Sequence, residues 1–227
     1  MPSERTLRAQ MVEVGRRLYA RGLINGGEGN LSARLSERRL LCTPAGVNKG
    51  FLREEDLVVT ELDGSPQNEL KLPSSELLLH LACYQERADC LAVVHAHPPH
   101  AVALTLMKAP LIPCMPEAIT ALGEVPTAPY ATPGGPAVAE AVRPLLKGAD
   151  CVLMERHGAL AMGRGLKSLL DACDKMEMLE GVARVQWLAS RHVPPTPLPE
   201  DERRVLGEQR KRGLTRAAKA RRPWDLD

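Results

Sequence analysis

The sequence predicts an α/β protein whose helices are layered around one sheet. Short apolar runs rich in β-branched residues, such as Leu57-Val58-Val59-Thr60 and Leu91-Ala92-Val93-Val94, alternate with longer stretches of helical periodicity. No internal repeat is visible. A length of 227 residues suffices for one well-buried core, and 44% hydrophobic with 26% charged residues is ordinary for a globular chain. Aromatics are only 3%, so the core must rest on Leu, Val, Ala and Met.

In chain order, Leu7, Met11, Val14 and Leu18 fall on one face of a helix running to about Arg21, where Gly22 supplies a stop. A glycine-rich loop, Asn25-Gly26-Gly27-Glu28-Gly29-Asn30, follows. Strands are expected at Leu40-Leu41-Cys42 and Leu57–Thr60, with a hairpin signal at Asp63-Gly64. Ser75 to Arg87 reads as a helix with Leu78, Leu81 and Ala82 facing inward. A buried strand then ends at His95 and His97, and Pro98-Pro99 opens another helix, since proline suits a first turn. Pro126 to Pro136 is a proline- and glycine-rich loop leading to a helix near Ala137–Leu146. Strands at Cys151–Met154 and Ala159–Met162 and a long helix from Leu166 to Arg191 complete one domain, assigned to residues 1–198. Residues 199–227 read as a basic C-terminal tail: Arg203 to Arg222 carries nine Lys/Arg against one Glu. Such a tail is expected to be solvated or partly disordered, and free to contact a neighbouring subunit.

Composition excludes several classes. A net charge of +2 gives no sign of a polyanionic partner, and the tail lacks interleaved aromatics until Trp224, so nucleic-acid binding is not expected. No apolar run approaches 18 residues, so no membrane span is expected. Met1-Pro2-Ser3-Glu4-Arg5 lacks the apolar core of a signal peptide. Six cysteines without a C-x-x-C pair read as buried free thiols in a reducing compartment, which together predict a cytoplasmic protein. No Walker sequence and no G-x-G-x-x-G after a strand indicate a nucleotide.

The chemistry-bearing signal is His95-Ala96-His97 at the end of an apolar strand, with His157 after a second one. Residues i and i+2 of a strand share a face, so both imidazoles can reach one ion. Three histidines at strand ends can form an open Zn²⁺ site with room for a substrate. Glu76, at the expected start of a helix, completes an N₃O donor set that favours zinc. Gly29, Asn30, Thr43, Gly46, Ser74 and Ser75 lie in turns or at a helix start and supply the N–H, hydroxyl and amide donors that a phosphate monoester needs.

Gly29-Asn30-Leu31-Ser32-x-Arg34, Thr43-Pro44-x-Gly46, Leu72-Pro73-Ser74-Ser75-Glu76, His95-x-His97 and Arg156-His157-Gly158 occur in an order that resembles the class II aldolase/adducin family. The resemblance spans roughly Leu7 to Arg191 and is to the branch of fuculose-phosphate aldolases and ribulose-phosphate 4-epimerases. It implies a three-layer α/β/α domain around a central, mainly antiparallel sheet, and a homotetramer with active sites between subunits. It implies Zn²⁺ held by His95, His97 and His157, with Glu76 as resting ligand and proton-moving carboxylate. Asn30, Thr43, Gly46, Ser74 and Ser75, with Gly29 beside them, would hold the phosphate of a small sugar substrate.

Glu76 matches the aldolases, since the epimerases of this branch carry Asp there. Fuculose-phosphate aldolases have a tyrosine where this chain has Cys114-Met115-Pro116-Glu117, and a second near the C-terminus where Arg212 falls; both absences point away from L-fuculose 1-phosphate itself. Glu117 instead resembles an acid/base glutamate of the methylthioribulose-1-phosphate dehydratases. The expectation is therefore a zinc-dependent aldolase splitting a ketose 1-phosphate into dihydroxyacetone phosphate and an aldehyde, with Glu76 and Glu117 catalytic. Dehydration or epimerisation on the same scaffold is the alternative. A non-catalytic adducin-like binding module would have eroded metal ligands, and all four candidates are present.

Overall fold

The structure is a computed structural model that describes residues 2–219, with side chains through Leu214. Ser3 starts the first helix, α1 (Glu4–Ala20): its hydroxyl accepts from the Thr6 N–H at 3.2 Å and satisfies one orphan donor of the first turn. Leu7, Met11, Val14 and Leu18 are buried on one face of α1, as their spacing predicts.

Seven strands form one sheet in the order β3-β2-β1-β4-β7-β6-β5. They are β1 (Asn30–Arg34), β2 (Arg39–Cys42), β3 (Val58–Glu61), β4 (Ala92–Ala96), β5 (Thr127–Ala128), β6 (Cys151–Met154) and β7 (Gly158–Gly163). Every neighbouring pair is antiparallel except β5–β6. The two-residue period of the strands divides the core into two layers. Ala92, Val94 and Ala96 of β4, with Ala159 and Ala161 of β7, pack against α1, α3 (Pro99–Leu106) and α5 (Ser168–Ser190). Val93, Leu160 and Met162 point the other way, against α2 (Leu77–Glu86) and α4 (Pro136–Val142). This is the expected three-layer α/β/α arrangement.

The central strand β1 is absent from the sequence reading. Asn30-Leu31-Ser32-Ala33-Arg34 has no β-branched residue, and its polar members are tolerated because each finds a buried partner. Asp63-Gly64 does turn the chain, with Gly64 N–H on Glu61 O at 3.0 Å, but it closes only a single bridge between Thr60 and Pro66. Leu78, expected inside, is 43% exposed, because α2 begins at Leu77 and turns Leu77, His80, Leu81 and Tyr84 inward.

The largest correction concerns the C-terminus. Residues Glu200–Lys219 form a helix, α6, where the sequence predicts partial disorder, and most of its described side chains are exposed, in keeping with a solvated segment. Arg210 anchors it. Its guanidinium donates to Thr120 O at 3.1 Å and to Ala121 O, at the end of a π turn (Ala118–Leu122), and pairs with Asp150 at 2.7 Å. The Asp150 carboxylate is 2% exposed and also meets Arg87 at 3.2 Å, Lys175 at 3.7 Å and Arg164. These cations outweigh burial and hold its carboxyl below the usual range. Residues 220–227, with Trp224 and the last arginines of the basic run, lie outside the described residues. No described helix is long and apolar enough to cross a membrane.

Candidate metal centre and phosphate-donor loops

The three histidines meet. Their rings lie 4.8 to 5.1 Å apart centroid to centroid, and one ligand nitrogen from each can be chosen within 4.8 Å of the others. His95 sits in β4 and His97 one residue beyond it, on the α2 side of the sheet. His157 is carried by the tight β6–β7 connection, where Arg156 takes a left-handed φ of 59°. That conformation costs a non-glycine residue about 1–2 kcal/mol; the Arg156 N–H is held by Thr105 Oγ1 at 3.0 Å. Gly158 makes the convergence possible. A Cβ there would strike the Ala96 carbonyl and sit 2.9 Å from the His97 ring and 3.1 Å from the His95 ring.

The protonation pattern suits a metal. His95 is fully buried, and its Nδ1 donates to Ala159 O at 2.9 Å, which leaves the Nε2 lone pair pointing at the other ligands. Burial and the neighbouring His95 push His97 down to about 4, so it is neutral near pH 7. Glu28, in the glycine-rich loop, stands 3.6 Å from His97 Nδ1 and is a carboxylate behind the imidazole.

Glu76 occupies the N-cap position of α2 and aims its carboxylate at the cluster, 3.2 Å from His95 Nε2 and 3.1 Å from His157 Nε2. Burial pushes its carboxyl up, but His157 and His95 outweigh this and hold it well below the usual carboxylate range. Glu76 Oε1 and His157 Nδ1 are nevertheless buried without a directed hydrogen bond. Three convergent imidazoles faced by a carboxylate, with His157 Nδ1 lacking a hydrogen bond, are a donor set that a cation would satisfy, so these residues fit a metal ion.

The donor loops are brought to the same place. A bridge between Pro44 and Pro73, with Ser74 N–H on Thr43 O at 3.1 Å, sets the 43–46 turn beside the start of α2. Ser75 and Gly46 are exposed there, and Ser74 Oγ accepts from the Glu76 N–H at 3.3 Å. Two candidates have other duties. The Thr43 hydroxyl is wholly buried and bonds the Leu31 N–H at 3.1 Å, so it secures β1. Gly29, at φ 67°, packs under the His95 carbonyl, where a Cβ would come within 2.9 Å. Asn30 is buried and reaches Glu76 Oε2 with its Nδ2 at 3.1 Å.

Glu117 is exposed and precedes the π turn; it makes no hydrogen bond or ion pair with the cluster. The tyrosines are occupied or outside: Tyr19 stacks on Phe51, Tyr84 bonds Ser32, and Tyr130 is exposed. All six cysteines are free thiols, and burial pushes Cys42, Cys90, Cys151 and Cys173 up to about 12, so these four are not nucleophiles. A cavity of about 1020 Å³ lies elsewhere, between the Lys108–Pro113 segment and α6, and no histidine of the cluster lines it. The roles of Glu28 and Gly158 escape the sequence reading, as does Lys49, whose buried ammonium bonds Gly27 O at 2.7 Å.

Three imidazoles at strand ends and a carboxylate at a helix start rich in small donors fit a metal-dependent enzyme on an α/β fold. Residues 9–187 match the model of the class II aldolase and adducin N-terminal domain, and the chain belongs to that family, whose class II aldolases are in general metal-dependent lyases. It is 36% identical over 180 residues to a 3-oxo-tetronate 4-phosphate decarboxylase of Haemophilus influenzae, covering 77% of this chain and 84% of that one. It is 34% identical over 198 residues to an L-fuculose phosphate aldolase of Escherichia coli, covering 86% and 89%. Among solved structures, YgbL of Klebsiella pneumoniae superposes with a TM-score of 0.84 at 32% identity, over 91% of this chain and all of that one. The expected family and fold hold; the expected aldolase activity now stands beside decarboxylation in its relatives.

Proposed function

We propose that this chain is a zinc-dependent carbon–carbon lyase that decarboxylates a small phosphorylated β-keto sugar acid of the 3-oxo-tetronate 4-phosphate type. The observation that carries the reading is the make-up of the cluster: three convergent imidazoles, two of them in contact with one carboxylate, and among the described residues no tyrosine bonded to it. Loss of CO₂ from a β-keto acid needs no base to begin. The bond from the carboxylate carbon to the carbon beside the ketone breaks, and its electron pair passes into an enediolate. A proton must then reach that carbon, and Glu76 is placed to deliver one drawn from solvent. A metal held by His95, His97, His157 and Glu76 would supply Lewis acidity toward the charge that develops on the substrate. Ser74, Ser75, Gly46 and Asn30 orient the phosphate, which takes no part in the bond chemistry. Identity to several relatives carrying the decarboxylase name supports the choice.

Aldol cleavage of a ketose 1-phosphate is the second reading, favoured by the similarity to fuculose phosphate aldolase. It passes through the same kind of enediolate but needs a group to accept the hydroxyl proton, a role that would fall to Glu76 with Glu117 as partner acid. Substrates at a subunit border in a homotetramer remain part of the proposal; Leu70 and Leu72, 93% and 66% exposed just before the Ser74–Ser75 turn, are apolar surface that a second copy would cover.

The test is a product assay on the zinc-loaded protein with 3-oxo-tetronate 4-phosphate and a panel of ketose 1-phosphates. The expected result is one CO₂ per dihydroxyacetone phosphate from the acid. Dihydroxyacetone phosphate with an aldehyde from a ketose phosphate, and no CO₂ from the acid, would overturn it in favour of the aldolase.

A further inference from the structure

Behind Glu76 and Asn30 lie three buried polar groups with no assigned role, His80, Ser32 and Tyr84. Asn30 Nδ2 is 3.1 Å from Glu76 Oε2, and Asn30 Oδ1 is 2.5 Å from His80 Nε2. His80 Nδ1 is 2.7 Å from Ser32 Oγ, which is 2.8 Å from the Tyr84 hydroxyl. His80, Ser32 and Tyr84 are each at most 4% exposed. Ser32 and Asn30 share the α2 face of β1, and His80 and Tyr84 are one helical turn apart on the inner face of α2, so the strand and helix periods bring the four together.

Two ends fix the direction of every hydrogen bond. Tyr84 has no second partner for its hydroxyl among the described residues, so its O–H must donate to Ser32 or be orphaned in the core. At the other end, a flipped Asn30 would put its amide oxygen against an oxygen of Glu76. The consistent order is Tyr84 O–H to Ser32, Ser32 O–H to His80 Nδ1, His80 Nε2–H to Asn30 Oδ1, and Asn30 N–H to Glu76. Burial pushes His80 down to about 3, in keeping with a neutral ring that donates through one nitrogen and accepts through the other.

We propose that Tyr84, Ser32 and His80 form a one-way hydrogen-bond wire that locks the Asn30 amide, so that it presents only N–H groups to the Glu76 carboxylate and to the substrate. Asn30 Nδ2 carries two hydrogens. One serves Glu76, and the second is left for an acceptor atom of the ligand. His80 is thus a positioning residue for the carboxylate that handles the proton, acting through Asn30. Its effect on turnover rests on the proposed lyase reading; the tautomer does not.

The test has two arms. In the resting protein without substrate, ¹⁵N-histidine NMR, with the His80 signals assigned by their loss in His80→Gln, is expected to show Nε2 protonated and Nδ1 bare. A proton on Nδ1 would overturn the wire whatever reaction the enzyme runs. With the substrate found by the product assay, His80→Leu is expected to lower kcat about 10–100-fold, the usual cost of an outer-shell partner, with KM little changed. His80→Gln, whose amide can donate to Asn30 Oδ1, is expected to recover much of that loss. Equal losses in the Leu and Gln variants would mean packing alone and would overturn the proposal. Should His80→Leu fail to fold, Ser32→Ala carries this arm: it removes one oxygen atom and the donor to Nδ1, a several-fold fall in kcat is expected, and an unchanged kcat overturns the wire.

Discussion

The molecule buries two polar clusters against the same sheet, and they are opposites. Around Asp150, one carboxylate is surrounded by Arg87, Arg164, Lys175 and Arg210, and its charge is met from several sides. Around Glu76, one carboxylate faces His95 and His157, and His157 Nδ1 is left buried without a hydrogen-bond partner among the described residues. A buried group that its own chain compensates serves the fold. A buried group left wanting a partner marks where the chain expects something from outside. The Asp150 cluster fastens α6 to the domain, whereas under the proposed function the Glu76 cluster would be completed by a cation and a substrate.

Breaking the histidine cluster should give the largest change in activity and a small change in fold. His95→Ala with His97→Ala is expected to strip the metal and cut turnover by more than ~100-fold, since even outer-shell partners of a metal are worth 10–100-fold. Elemental analysis alongside an activity assay reads both; full metal content with full activity would erase the distinction between the clusters. Glu76→Gln should come next. Replacing a proton-handling group costs about 10²–10⁴-fold in kcat, and circular dichroism should report an unchanged fold.

The Asp150 cluster should respond the other way. Asp150→Ala leaves buried cations without their carboxylate and is expected to cost about 3–5 kcal/mol of stability, seen in urea unfolding, while turnover per folded molecule is kept. The same carboxyl supplies an acid limb. Its pKa is depressed in the folded state, so its contribution is complete above the unfolded value near 4 and is lost as pH falls below that toward the folded value. The variant should therefore show a flatter loss of stability with acid than the parent. Arg210→Ala should be the mildest, removing charge-assisted bonds worth about 1.5–3 kcal/mol. Faster hydrogen exchange should be confined to α6 and the Ala118–Leu122 turn; exchange that quickens throughout the sheet would mean that α6 is integral to the core.

The two clusters were also unequally legible in the sequence. His95-x-His97 on an apolar strand announces itself because the strand period puts both rings on one face, and His157 joins it from the end of a second apolar run and Glu76 from a helix start. The Asp150 cluster draws on Arg87, Asp150, Arg164, Lys175 and Arg210, spread over more than 120 residues (87–210) of ordinary surface-type charge; nothing local distinguishes them. The polar α6 has no apolar stripe strong enough to separate it from a solvated tail, since one arginine docks it. His80 and Tyr84 read as core residues of an apolar helix, and β1 hides because its Asn and Ser are strand residues only by virtue of partners on α2. Local periodicity gave the layers and the ligands; long-range polar pairing gave the rest.

The most direct test of the central claim is X-ray absorption at the zinc edge of the purified, zinc-loaded protein. One zinc per chain with a shell of nitrogen and oxygen only, reduced in occupancy by His157→Ala, is the predicted result. A sulfur-containing shell drawn from the chain's cysteines, or zinc binding indifferent to His157, would contradict the assignment of His95, His97, His157 and Glu76 as the metal site.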